Sequence, residues 1–170
     1  ISGSCAIFVF IEVFVMKGLC STFFFFYSSG PSTGTLQKVI GLLGGLGWPS
    51  TVTVYETINR VANERLGGTN TAQILMNSVN LGVIMPMIER EDWESTGRYL
   101  GEQAQILEKA GPDFVMMPCN TPHRCAPDIE DHLSVPFIHI ADSVGRAIQN
   151  EGVPKVLLLG SKYTMQLPFY

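Results

Sequence analysis

Cysteine, charge and long uninterrupted apolar runs are all scarce in this sequence, and each shortage excludes something. Four cysteines in 170 residues are too few for a disulfide-stapled miniature, and none has the paired C-x-x-C spacing of a zinc site. Charged residues make up 15% of the chain, and the net charge is −4. With no block of Lys or Arg, this excludes a nucleic-acid partner or an anionic membrane surface. A spanning helix needs about 20 apolar residues, and Glu12, Lys17 and Gly18 interrupt the most apolar window, so no stable membrane span is expected. What is present is a hydrophobic content of 46%, enough for a packed core and too high for a disordered chain.

The apolar residues are unevenly spread. Residues 1–36 combine an apolar stretch, an aromatic run (FFFFY) and a Gly/Pro/Ser linker, SSGPSTGT. They read as a leader-like or non-native segment, although no Met and no basic region begins it. Cytoplasmic location is expected, or an organellar or secreted one if that segment is a leader. From residue 37 the pattern becomes regular. Strands are expected at 38–43 (KVIGLL), 73–79, 114–117, 137–140 and 155–159 (KVLLL). Between them lie helices at about 49–66, with Val52, Tyr55, Ile58, Ala62 and Leu66 at helical spacing, at 93–110 after Asp92, one that follows the Pro118–Thr121 segment and runs to about His132, and one at 142–150. Strands alternating with helices predict an α/β fold, a parallel sheet flanked by helices on both faces. In such sheets ligands sit beyond the carboxyl ends of the strands. The informative polar residues lie there: the Gly44–Gly47 turn, Asn77 and Ser78, Cys119 to Thr121, and Ser161 to Thr164.

KVIGLLGG, from Lys38, returns as KVLLLGSK, from Lys155, at about the spacing of one small α/β domain. The expected organisation is therefore a domain over 37–152, followed by the first strand and turn of a truncated second domain over 153–170. Cys119 stands out because it follows a strand and Pro118 and precedes a helix. At a helix start the dipole and backbone N–H groups lower a thiol's pKa, which predicts an available thiolate; the alternative is a buried, inert cysteine. Asn120 and Thr121 add donors for a carboxylate. His123 either tunes that thiolate or merely decorates the helix start. His139 either faces the same cleft or is a satisfied core histidine, the reading preferred here. Cys125 is expected in packing. Cys119, His123 and Cys125 lack a fourth ligand, so no metal site is expected. Gly41, Gly44, Gly45 and Gly47 do not have the spacing of the dinucleotide fingerprint, since Ser50 stands where its third glycine belongs.

GLLGGLGWPST at 41–51, RLGG at 65–68, AQILMNSVN at 72–80, MPCNTPH at 117–123, PFIHIAD at 136–142 and GSKYTM at 160–165 together resemble the aspartate/glutamate racemase family. The W-x-S-T and R-L-G-G elements are similar to its broad-specificity amino-acid branch. The resemblance implies an isomerase that needs no cofactor, built from two similar α/β domains with the site between them, each giving one cysteine to one face of the substrate Cα. It makes Cys119 one acid/base and places Gly45, Leu46, Ser78, Asn120, Thr121 and Thr164 around a small amino acid or dicarboxylate. The second cysteine of that pattern is expected in the second domain and is absent here, so the chain reads as an incomplete fragment. Two alternatives stand beside this: a one-cysteine decarboxylase or isomerase of small dicarboxylates, and a non-catalytic carboxylate-binding half-domain, with a homodimer as a further possibility.

Overall fold

β1 (Val39–Gly44) is apolar or glycine throughout, and its side chains are buried from Ile40 onward on both sides of the strand. That pattern belongs to a central strand of a parallel sheet covered on both faces. The computed structural model, which describes residues 37–152 and 154–170, places it there. β1 pairs in parallel with β2 (Gln73–Ser78) on one side and β3 (Phe114–Met116) on the other, and β3 pairs in parallel with β4 (Phe137–Ile138). The order is β2-β1-β3-β4. The leader-like segment, its linker, Cys5 and Cys20 lie outside the described residues.

Alternation along the strands sends residues to two separate cores. Ile40, Leu42, Phe114, Met116 and Ile138 pack under Val54 and Ile58 of α1 (Trp48–Leu66). Leu43 and Val115 point the other way, against α2 (Leu81–Glu89), α3 (Trp93–Glu108) and α4 (Ala126–Glu130) through Ile84, Leu100, Ala104 and Ile129. Asn80 caps α2 by accepting from Gly82 N, and Asp92 caps α3 by accepting from Ser95 N, which satisfies donors that a helix start leaves open. α5 (Ile140–Asn150) and α6 (Lys162–Gln166) complete the chain. Among the described residues no helix is long and apolar enough to cross a membrane.

The expected α/β architecture is therefore observed, with four local corrections. The inward face of α1 is Thr51, Val54, Ile58, Val61 and Ala62, whereas Val52, Tyr55 and Leu66 are 54%, 46% and 43% exposed. Apolar residues lie around most of this helix, so periodicity alone does not set its rotation. The Thr51 hydroxyl does, by accepting from Gly45 N at 3.0 Å. α2 was not anticipated, because it is apolar on all sides and carries Pro86. β4 stops at Ile138, since His139 turns to cap α5 by accepting from Ala141 N. Residues 155–159 form no strand: they pair with none of the four, and Val156 and Leu157 are 48% and 80% exposed. An apolar run becomes a strand only where a neighbouring edge accepts its hydrogen bonds.

The turn after β1 is the tightest point of the architecture. Gly45 has φ +87°, and a Cβ there would lie 2.2 Å from the Val79 carbonyl oxygen. Gly47 also has positive φ, but a Cβ there would meet nothing within 4 Å. Gly45→Ala is expected to destabilise by more than about 2 kcal/mol, from strain plus a backbone clash, and Gly47→Ala by about 1–2 kcal/mol from strain alone. Urea denaturation of the two variants checks the ordering.

Candidate active site

The carboxyl ends of β1, β2 and β3 bring three pieces of chain together. Gly44 is the register partner of Ser78, and the Ser78 hydroxyl lies 2.9 Å from where a Gly45 Cβ would be. β3 leads through Met117 and Pro118 to Cys119, Asn120 and Thr121. The glycine turn and Ser78 are thus neighbours. The Gly45 N–H is already engaged by Thr51, and Leu46 is buried in the core rather than turned to an open pocket.

The α-helix expected after Cys119 and up to about His132 is replaced by a 3-10 turn over Thr121–Cys125 and the short α4. Pro127 supplies the reason: it has no N–H to give the His123 carbonyl, so Ala126 N takes that oxygen instead, in the tighter pattern. Without a helix of any length, no strong dipole acts on Cys119. The thiol packs against the core containing Leu43, Val79 and Ile84, and burial pushes its pKa up to about 12. This reverses the expected thiolate. At neutral pH the resting group is a protonated thiol.

His123 does not touch that sulfur. Its Nδ1 donates to the Cys119 carbonyl at 2.6 Å, which fixes the tautomer, because a carbonyl only accepts. The ring is 1% exposed and stacks edgewise on His139 with centroids 4.7 Å apart. Burial first, and the neighbouring His139 second, hold it neutral by lowering its pKa to about 3. Its Nε2 is buried without a hydrogen-bond partner. Cys125 turns elsewhere and donates its thiol to the Trp93 carbonyl, in packing as expected. Among the described residues no three His, Cys, Asp or Glu side chains are grouped to hold a metal ion.

The segment around α6 folds back over this loop. Ser161 Oγ is 3.0 Å from both Thr121 Oγ1 and Thr164 Oγ1, and Thr164 is 2% exposed. The Tyr170 hydroxyl donates to Asn120 Oδ1 at 2.5 Å, and the Tyr163 ring packs edge-on against Trp93. Thr121 and Thr164 are therefore joined through Ser161, and Asn120, next in sequence to Thr121, is held separately by Tyr170. Ser161 was among the expected strand-end polar residues, whereas Thr51, on the glycine turn, and Tyr170, on Asn120, were missed. For Thr51 the usable signal was a hydroxyl in the first turn of a helix that follows a glycine turn; Tyr170 had none.

Comparison with known proteins gives this arrangement a context. The profile of the Asp/Glu/hydantoin racemase family matches residues 43–170. RacX, a broad-specificity amino-acid racemase of Bacillus subtilis (strain 168), is 28% identical over 133 residues, which are 78% of this chain and 58% of RacX. A crystal structure from Yersinia pestis assigned to the Asp/Glu racemases superposes with a TM-score of 0.75 at 36% identity, covering 79% of this chain and 58% of that one. An aspartate racemase homologue from Pyrococcus horikoshii OT3 gives a TM-score of 0.70 at 32% identity, with coverage of 78% and 58%. The chain thus spans a little over half the length of each of these relatives.

Two outcomes follow from the burial. Peptide mapping after brief alkylation at neutral pH should find Cys119, partly buried and protonated, modified much more slowly in the native protein than once it is unfolded in urea. His123 has a folded pKa near 3 against an ordinary 6.5, so the unfolded state takes up a proton that the native state refuses. Stability from this source is complete above the ordinary value and is lost as pH falls below it, by about 2 kcal/mol near pH 5. Urea midpoints at neutral pH and near pH 5 should show this loss in the native sequence and its removal in His123→Gln.

Proposed function

The chain belongs to the Asp/Glu/hydantoin racemase family, and from that membership we infer an amino-acid racemase activity in which Cys119 exchanges the Cα proton of a small amino acid. The observation that carries this reading is the Cys119–Asn120–Thr121 loop, set at the carboxyl end of β3 with a partly buried thiol and side-chain donors beside it.

The thiol is the resting acid. On one face of Cα it delivers a proton to the carbanion and becomes a thiolate; in the reverse direction that thiolate, desolvated and therefore strongly basic, removes the proton and the carbon keeps the electron pair. The pair delocalises into the α-carboxylate, whose developing charge is met by the Thr121 hydroxyl and the Asn120 amide. Racemisation also needs an acid–base group on the opposite face. Cys125 is committed to the Trp93 carbonyl, so this role is assigned outside the described residues. A protonated thiol also favours a second reading, one-base chemistry in which Cys119 protonates the carbanion left by decarboxylation of a small dicarboxylate.

In deuterated water the racemase reading predicts deuterium at Cα in both enantiomers of a substrate amino acid, with Cys119→Ala slower by at least about 100-fold. Unchanged exchange in Cys119→Ala overturns the assignment. Deuterium confined to one enantiomer, or release of carbon dioxide, selects the one-base reading.

A further inference from the structure

The segment that carries α6 reaches the cysteine loop at two points, and the two contacts differ in kind. Ser161 and Thr121 meet hydroxyl to hydroxyl, and either can donate, so that contact sets no direction. Tyr170 meets Asn120 through one particular atom, Oδ1, at 2.5 Å. An amide oxygen only accepts, so the phenol donates. Partial burial pushes the Tyr170 pKa up to about 12, and the donor therefore persists through neutral and moderately alkaline pH. Tyr170 lies 50 residues beyond Asn120. Its ring packs on Phe169 with centroids 5.4 Å apart, a contact that does not need the hydroxyl.

A carboxamide carries its acceptor and its donors on opposite arms, and a half turn about its last torsion exchanges them. Which arm faces a ligand has to be set by a neighbour. With Oδ1 taken by Tyr170, Nδ2 is the arm turned away, and among the described residues it donates to no protein acceptor. Nor is it sealed from solvent: the buried side-chain atom left without a partner among the described residues is His123 Nε2. We propose that Tyr170 is a positioning residue of the site around Cys119: by donating to Asn120 Oδ1 it fixes the carboxamide so that Nδ2, and not the oxygen, meets the α-carboxylate of an amino acid. This rests on the reading of Asn120 as a carboxylate donor given above and adds what makes it one. Without the phenol hydroxyl the amide is free to present its oxygen, where two acceptors oppose each other.

The test is a titration of nitrogen-labelled protein with L-aspartate, following the Asn120 side-chain amide and the Thr121 backbone amide. Both should shift along one binding curve in the native sequence. Tyr170→Phe, which keeps the ring, should weaken binding about tenfold. In an Asn120→Ala background, read from Thr121, the same change should lower affinity less than about twofold. Tryptophan emission should be equal in native and Tyr170→Phe protein, because Trp93 lies against Tyr163 of the same segment. The proposal is overturned if the Asn120 amide does not shift or if Tyr170→Phe binds as tightly as the native protein. It is equally overturned if the tenfold loss persists without Asn120, or if emission changes with it, since Tyr170 is then a tether of the segment. Proton exchange at Cα tests Cys119 separately: its failure leaves this binding result standing, and failure here leaves the exchange chemistry standing.

Discussion

A buried carbonyl with no donor costs about 1–3 kcal/mol, and the chain that leaves β3 creates one at Cys119. His123 answers it from four residues further on, across the 3-10 turn. That single bond settles several things together. It fixes the tautomer and orientation of an imidazole that burial holds neutral, and Pro122 and Cys125 beside it are buried. Phe137 and His139 close around the ring. The loop that carries the candidate chemistry is therefore held by packing rather than by charge.

An uncharged site has consequences for what it can bind and do. The thiol is protonated and the nearest imidazole is neutral, so a carboxylate arriving here meets hydroxyl and amide donors instead of a cation. Such donors add selectivity without anchoring a general anion strongly. The desolvation that holds the proton on sulfur also makes the corresponding thiolate a stronger base, which is the property needed to attack a weakly acidic carbon–hydrogen bond. The back-folded segment around α6 reaches the loop at two points, Ser161 on Thr121 and Tyr170 on Asn120.

Much of the architecture was legible because parallel strands write themselves as short aliphatic runs, and β1 to β3 end within a residue of where those runs stop. The resemblance that pointed to racemases rested on loops at the strand ends, and it is borne out. What was not legible required knowledge of partners. The rotation of α1 depends on one hydroxyl choosing Gly45 N. The 3-10 turn depends on a missing N–H at Pro127, a signal present in the sequence that the expectation of a helix here did not use. KVLLL at 155–159 has the composition of a strand and no edge to join. The Cys119 pKa moved opposite to expectation because its direction is set by how completely the sulfur is enclosed, a three-dimensional quantity that no local motif records.

The two tryptophans sit in contrasting surroundings. Trp48 is 70% exposed at the start of α1, whereas Trp93 is partly buried against the core that holds Leu43 and Val115, with its indole edge-on to Tyr163 at 5.5 Å. The emission of the first belongs to water and that of the second to protein. Tyr163 is carried by the segment that folds over the cysteine loop, so any lifting of that segment uncovers Trp93 and leaves Trp48 as it was. The molecule thus contains a built-in optical gauge for the covering of its loop, with its own reference beside it.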